Sequence, residues 1–184
     1  FKTFSTVRGV RQIIGRAPGE DAATRTNELL ESPAFVAGLT EVGRKGLSFD
    51  LQLIPELMLA TAKILEAVPD TRVALCHAGS PHDRTSHGLD NWAKNLRHLS
   101  LLPQGVCKIS GLGMFDHHWT IQSIAQIIEI CLDQFGPERC MFGSNFPVDS
   151  LYSDYATLMA AHRQIVPEKY HAAVFELSLI HIDA

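Results

Sequence analysis

The feature that most constrains the fold is a regular alternation of short apolar runs with stretches of helical periodicity. Five apolar runs are bounded by turn residues and are typical of strands, namely residues 6–14, 46–53, 72–78, 105–112 and 139–146. The segments between them repeat apolar residues three and four positions apart, as Ile121, Ile124 and Ile128 do. Strand and helix therefore alternate at roughly 25 to 40 residues per unit, which predicts parallel βαβ units with no linker between them.

Capping residues and prolines mark the helix boundaries. Ser32-Pro33 and Pro55 predict the starts of two helices. Thr120 and Ser153 predict N-caps for two later helices, and Gly136-Pro137 is a typical end for the first of these.

Composition limits the kind of protein this is. The chain has 184 residues, 46% of them hydrophobic, and a net charge of −4, which predicts one ordinary soluble domain with a sizeable core. The mildly acidic net charge does not indicate a basic surface for binding nucleic acid or an anionic membrane. Apolar stretches are interrupted before the roughly 20 residues of a membrane span, and no leader precedes them. We therefore expect a cytoplasmic protein with a small-molecule substrate, and an oligomer is possible.

Several apolar-face residues favour structural roles. Trp92 and His162 fall on the apolar stripes of predicted helices, which favours the core for both side chains. Four cysteines lie in apolar sequence without a Cys-x-x-Cys pair and are expected to be reduced core residues, although sequence leaves disulfides and zinc ligation open: Cys76, Cys107, Cys131 and Cys140.

Candidate functional residues lie where strands are predicted to end, because parallel α/β proteins carry their chemistry at the carboxyl ends of strands. His77 ends the third run, and Gly79 and Pro81 then turn the chain away. This histidine either faces a pocket mouth or is a buried side chain bonded to a backbone carbonyl. Arg11, near the end of the first run, either holds a carboxylate by a bidentate pair or lies on the surface.

Two runs carry polar residues at alternate positions. The second places Ser48, Asp50 and Gln52 on one face, which points inward in a closed barrel and meets water in an open sheet. The fourth sets Lys108 and Ser110 together. A lysine here needs a carboxylate or an anionic ligand, so Lys108 either binds substrate or forms a structural ion pair with Asp50.

The last run ends in the small residues Gly143 and Ser144 and in Asn145, with Asp149 close behind. Small residues at this point let a ligand approach the backbone. Two polar loops are predicted to rim the same opening, either as substrate contacts or as solvated loops: His82, Asp83, Arg84 and His87 in one, and Asp116, His117 and His118 in the other.

Five ordered motifs together carry a family resemblance. They are Val7-Arg-Gly-Val-Arg11, Leu47-Ser-Phe-Asp-Leu-Gln52, His77-Ala-Gly79, Lys108-Ile-Ser-Gly-Leu112 and Phe135-Gly-Pro-Glu-Arg-Cys-Met-Phe-Gly-Ser-Asn-Phe-Pro-Val-Asp149. The chain resembles the amidohydrolase-2 family, in the branch of metal-dependent hydrolases that includes sugar lactonases and is similar to pyrone-dicarboxylate lactonase. The resemblance implies a TIM (β/α)8 barrel of the amidohydrolase superfamily, present here as a partial barrel of about five βα units. We assign residues 1–175 to this domain and residues 176–184 to an atypical tail.

The resemblance also implies an activity, which is hydrolysis of a lactone or related cyclic ester. It implies catalytic roles for His77, Asn145 and Asp149. It further implies a substrate-binding set of Arg11, Asp50, Gln52, Lys108 and Ser110. The alternatives are a decarboxylase or hydratase of the same superfamily, and a catalytically incomplete fragment or binding-only relative.

Two departures from the family pattern concern metal. Members begin with a His-x-His strand, which is absent here, so the chain is expected to start at about the third barrel strand. Many members carry Asp where this chain has Asn145, and a neutral amide neither accepts a proton nor ligates metal well. The full-length protein is expected to use a divalent metal such as zinc with His77 as one ligand, or no metal. For this chain alone we predict substoichiometric zinc and poor stability.

Overall fold

The sheet of the computed structural model has five parallel strands, and the structure describes residues 6–16, 21 and 25–176. The strands are β1 (Gly9–Ile13), β2 (Ser48–Gln52), β3 (Arg72–Leu75), β4 (Gly105–Ile109) and β5 (Cys140–Phe142). Their order in the sheet is their order in the chain, and each pairs in parallel with the next. Sequential parallel strands joined by helices are the arrangement of a (β/α)8 barrel, here represented by part of its circumference.

Within residues 25–176, five α-helices accompany the strands: α1 (Pro33–Arg44), α2 (Met58–Glu66), α3 (Ser86–Ser100), α4 (Ile121–Phe135) and α5 (Tyr155–Ile165). Short 3-10 segments lie at Thr26–Glu31, Pro55–Leu57, Cys76–Gly79, Leu112–Met114, Pro137–Arg139, Val148–Leu151 and Glu168–Tyr170, with a π-helical turn at Ala172–Glu176. None of the helices in the described part of the chain has the length and apolarity needed to cross a membrane.

Ser32 and Thr120 occupy predicted N-cap positions, although the Ser32 side chain accepts no hydrogen bond there, and Pro55 begins a 3-10 turn that leads into α2 at Met58. Thr120 caps α4 and forms a capping box with Ser123. Ser153 does not cap α5, because the carboxylate of Asp154 takes that position and accepts the backbone N–H of Thr157 at 2.8 Å. An acidic side chain is favoured there because the first turn exposes backbone N–H groups.

Three strands end earlier than the sequence predicts. β3 ends at Leu75 instead of residue 78, β4 at Ile109 instead of 112, and β5 at Phe142 instead of 146. In each case a residue in the left-handed region follows the strand and turns the chain out of the sheet: His77, Gly111 and Asn145. The three turns lie at the carboxyl edge, where the site residues are predicted.

The core lies between the sheet and the helices that cover it. Phe49 and Leu51 of β2 are buried, whereas Ser48, Asp50 and Gln52 on the alternate positions are only partly buried. Trp92 and His162 are 1% and 2% exposed, so the prediction of core positions for both is confirmed. All four cysteines are free and buried.

Arg139 connects the elements at the amino ends of β4 and β5. Its guanidinium donates to the backbone carbonyl oxygens of Phe135 at 3.1 Å, Leu102 at 3.0 Å, Gly105 at 3.2 Å and Ser100 at 2.9 Å. These acceptors belong to the ends of α3 and α4, the following loop and the first residue of β4. One side chain therefore ties four neighbouring segments together on the side of the sheet opposite the predicted site.

Candidate active site

A three-charge cluster lies on the polar face of the sheet. Oδ2 of Asp50 accepts a hydrogen bond from Arg11 at 3.1 Å and forms an ion pair with Nζ of Lys108 at 3.3 Å. Lys108 reaches across β3 because the residue of that strand in register with Asp50 is the small Ala74. The structural ion pair considered for Lys108 is thus present, and the cluster retains one positive charge in excess.

His77 lies in a left-handed turn that immediately follows β3. The φ angles of His77, Ala78, Gly79 and Ser80 are 54°, 50°, 70° and 55°. Such a conformation costs roughly 1–2 kcal/mol for each residue other than glycine, so the surroundings must impose it. Nε1 of Trp92 donates to the carbonyl oxygen of Ala78 at 2.8 Å and fixes the turn.

The turn directs the imidazole of His77 toward β4. Its Nδ1 lies 3.0 Å from Oγ of Ser110, and the backbone of the same residue also contributes a hydrogen bond to the ring. His77 is 6% exposed. Burial, together with the charges of Arg11 and Lys108, lowers the pKa of His77 to about 4. The ring is therefore neutral at neutral pH, and among the described residues its Nε2 has no hydrogen-bond partner.

Asn145 and Asp149 form a hydrogen-bonded pair after β5. Asn145 has a φ of 57°, and its Nδ2 donates to Oδ1 of Asp149 at 2.9 Å. Asp149 is 2% exposed. Burial raises the pKa of its carboxyl group, and the hydrogen bond from Asn145 opposes this in part. The pair thus presents a buried carboxylate held by an amide.

Gly111 separates the histidine from this pair. It has a φ of 64°, and a Cβ atom at this position would lie 2.6 Å from Nδ1 of His77 and 3.1 Å from Nδ2 of Asn145. Only a residue without a side chain lets the two groups come this close. The turns after β3, β4 and β5 therefore bring His77, Ser110, Asn145 and Asp149 to one place.

A cleft of about 990 Å³ opens at the same edge of the sheet. Gln52 lines it, together with several residues of the predicted rim loops: His82, Arg84, Asp116, His117 and His118. Arg11 and Asp50 instead line a smaller hollow of about 210 Å³ beside β1 and β2. Arg11 and Asp50 therefore lie apart from the large cleft. The lining of the cleft also does not include the following predicted residues: His77, Lys108, Ser110, Asn145 and Asp149.

Sequence reasoning missed two residues of this edge. Arg16 lines the cleft three residues after β1 ends, and the strand-end rule extended by one turn would have identified it. Tyr152 stacks on His117 with ring centroids 4.5 Å apart and an interplanar angle of 10°. No local pattern singles out Tyr152, because its contact depends on the packing of two loops that are distant in sequence.

The described residues do not fit a metal ion. Within residues 6–16, 21 and 25–176, no group of three or more His, Cys, Asp or Glu side chains could hold one. Asp50 is engaged by two cations, and Asp149 by the amide of Asn145. A metal ion at this edge would need ligands from outside the described residues.

The chain is similar to several known proteins. A family model described as amidohydrolase matches residues 6–177. An uncharacterised protein of Sinorhizobium fredii, y4mH, is 36% identical over 163 residues, which are 88% of this chain and 54% of that protein. An L-fucono-1,5-lactonase of Burkholderia multivorans is 39% identical over 94 residues, which are 45% of this chain and 31% of that enzyme. The chain thus spans about half of the first relative's length and about a third of the second's.

A solved structure has the same fold. The crystal structure of an amidohydrolase from Burkholderia multivorans with bound zinc superposes with a TM-score of 0.81 at 23% identity, covering 91% of this chain and 61% of that one. This likeness confirms the predicted fold, a partial barrel of the amidohydrolase type.

Proposed function

Because the chain belongs to the amidohydrolase family, we propose that the protein hydrolyses a lactone or a related cyclic ester of a sugar acid or other carboxylated small molecule. The observation that carries this proposal is the meeting of a neutral His77, held by Ser110, with the Asn145–Asp149 pair. The similarity to an L-fucono-1,5-lactonase supports the choice of a lactone.

Hydrolysis of a lactone makes three demands on a site. A water molecule must lose a proton, the carbonyl oxygen must be stabilised as it becomes negative, and the departing ring oxygen must gain a proton. We assign proton removal to Asp149, because burial raises the pKa of its carboxyl group and strengthens the carboxylate as a base, whereas burial lowers the pKa of His77 to about 4 and weakens its imidazole as a base. The amide of Asn145 orients that carboxylate, and the proton that Asp149 takes from water is passed to the departing ring oxygen.

The other predicted residues act on the substrate in this proposal. Neutral His77, fixed through Nδ1 by Ser110, uses Nε2 to hydrogen-bond the reacting group. Arg11 and Lys108 supply positive potential toward the developing oxyanion while Asp50 holds them in place. Gln52 contacts substrate in the cleft. No step passes through a metal ion, since the described residues do not fit one.

The first experiment measures hydrolysis of a panel of sugar-acid lactones by the intact protein, with proton release as the assay. Asp149→Asn should lower kcat/KM by about 10²- to 10⁴-fold, the usual contribution of a general base. Asp133→Asn, which changes an exposed carboxylate on α4, is the matched control and should leave the rate unchanged. Equal rates for the Asp149→Asn variant and the native protein would contradict the assignment.

The product distinguishes hydrolysis from the lyase alternative. A hydrolase yields a product heavier than its lactone by one water and releases no carbon dioxide, which mass spectrometry and a carbon dioxide assay detect. Decarboxylation of a carboxylated substrate would replace the lactonase proposal.

A second experiment concerns metal. We expect the chain to carry substoichiometric zinc after dialysis, and Asn145→Asp with an added His-x-His strand to gain both zinc and lactonase rate. Metal content is measured by elemental analysis. Stoichiometric zinc in the unaltered chain would show that the present residues suffice.

A further inference from the structure

The large cleft is cationic although the chain as a whole is acidic. The net charge is −4, yet the cleft is lined by two arginines, Arg16 and Arg84, and among the described residues by one carboxylate, Asp116. The ionised side chains of the lining therefore sum to one positive charge, with the three lining histidines taken as neutral. A protein that concentrates the opposite sign of charge in its cleft attracts anions there.

Arg84 is fixed in orientation but incompletely paired. Its NH2 group donates to the carbonyl oxygen of Ser123 at 2.5 Å and lies 3.8 Å from Oδ2 of Asp116, beyond a direct hydrogen bond. Its NH1 atom is buried and has no hydrogen-bond partner among the described residues. Burial lowers the pKa of the guanidinium, and the charge of Asp116 opposes this in part.

Arg16 has still fewer partners. Its Nε atom is buried without a hydrogen-bond partner, and no ion pair with a described carboxylate is present. Only its backbone is tied down, by the side chain of Asn27, whose Oδ1 accepts from the Arg16 N–H at 2.9 Å. A buried guanidinium nitrogen without an acceptor is costly, so an acceptor supplied by a ligand would stabilise this arrangement.

We infer that Arg16 and Arg84 form a carboxylate-binding subsite in the cleft, so that the substrate is a lactone carrying a free carboxylate. The identification of the substrate as a lactone rests on the proposed function, whereas the subsite itself is inferred from the residues that line the cleft. A guanidinium presents parallel N–H groups that match a carboxylate, and the single excess positive charge matches its single negative charge. A neutral sugar lactone would bring no carboxylate to the guanidinium groups of Arg16 and Arg84.

The first test measures binding without catalysis. Glutarate and its neutral diamide, glutaramide, are titrated into the intact protein by calorimetry, and glutarate should bind about tenfold tighter or better because charge-assisted hydrogen bonds replace unpaired groups. Its affinity should fall as salt is added. Equal affinities, no binding of glutarate, or tighter binding of inorganic phosphate would overturn the carboxylate subsite.

Variants locate the subsite. Arg16→Gln should weaken glutarate binding about tenfold without altering the fold, because no described side chain depends on this guanidinium. Arg97→Gln removes the same charge from the exposed face of α3 and should bind glutarate as the native protein does. Arg84→Gln releases the carbonyl of Ser123, so Arg84→Lys is made beside it and both are checked by thermal unfolding. Native affinity for glutarate in Arg16→Gln and Arg84→Lys would refute the inference.

The second test uses two lactones that differ in one group. D-glucaro-1,4-lactone carries a carboxylate where D-glucono-1,4-lactone carries a hydroxymethyl group. The former should have the higher kcat/KM, and Arg16→Gln should remove the preference. If glutarate binds as expected and neither lactone reacts, the subsite stands and the lactonase proposal fails. If both lactones react equally and glutarate does not bind, the lactonase proposal stands and the subsite fails.

Discussion

The stability of the protein should fall in mild acid because two histidines are buried in their neutral form. The pKa of His77 and that of His162 are each lowered from 6.5 to about 4, in both cases by burial first. At a pH between about 4 and 6.5, each of these two histidines binds a proton in the unfolded chain but not in the folded chain. The free energy of unfolding therefore decreases as pH falls from 6.5 to about 4, and it levels off below that.

The size of the effect follows from the two shifts. One pKa unit corresponds to 1.36 kcal/mol, so lowering the pKa of His77 from 6.5 to about 4 contributes about 3 kcal/mol. His162 contributes a similar amount, about 3 kcal/mol. Together they amount to a large part of the roughly 5–15 kcal/mol that stabilises a typical domain.

Urea unfolding followed by tryptophan fluorescence, repeated between pH 4 and 7.5, measures this dependence. His77→Gln should lose about half of the pH slope, and the double variant with His162→Gln should lose most of it. His98→Gln, which removes an exposed imidazole from α3, should keep the native slope. A His77→Gln variant with the full native slope would refute the reasoning that burial holds this ring neutral.

Two further substitutions test the turns that build the site. Trp92→Phe leaves the carbonyl oxygen of Ala78 buried without its donor, so the free energy of unfolding in urea should fall by about 1–3 kcal/mol; an unchanged value would mean that the indole does not hold the turn. Gly111→Ala should lower lactonase kcat/KM at least about tenfold by displacing His77. Gly136→Ala, at a φ of 78° with no atom within 4 Å of the added Cβ, isolates the cost of backbone strain, and an equal loss there would reject the crowding argument.

The local pattern of the sequence was sufficient to predict the layers of the fold. Alternation at Ser48, Asp50 and Gln52 identified the polar face of β2, because side-chain direction in a strand depends only on position. Helical spacing likewise placed Trp92 in the core. Both are properties of a few consecutive residues.

The details of the site could not be predicted in this way. Cys76, His77 and Ala78 continue the predicted third run, and only Gly79 and Pro81 behind them indicate a turn. In the structure residues 77–80 are left-handed, and Trp92 of another element donates a hydrogen bond to this turn, so the end of β3 and the bond between His77 and Ser110 depend on tertiary packing. The roles assigned to the site residues, like the assignment of residues 1–175 and of the tail, stay predictions, and residues 177–184 lie outside the described part of the chain.

The ion pair of Arg11 is a second example of what the sequence alone could not predict. Its position near a strand end indicated a group that could bind a carboxylate, and in the structure it does so with Asp50 of the neighbouring strand. Strand register decides which carboxylate is closest, and register is not visible in one strand alone.

The hydrogen bonds of Arg139 also bear on how such a protein can change its substrate. They join the ends of α3 and α4 to the start of β4, on the side of the sheet away from the cleft. These four hydrogen bonds are independent of the loops that rim the cleft. Randomising His82, His117 and His118 should produce folded proteins with altered selectivity, whereas randomising position 139 should produce insoluble ones. Substrate selectivity can therefore change at the carboxyl edge of the sheet as long as the hydrogen bonds at the amino edge are kept.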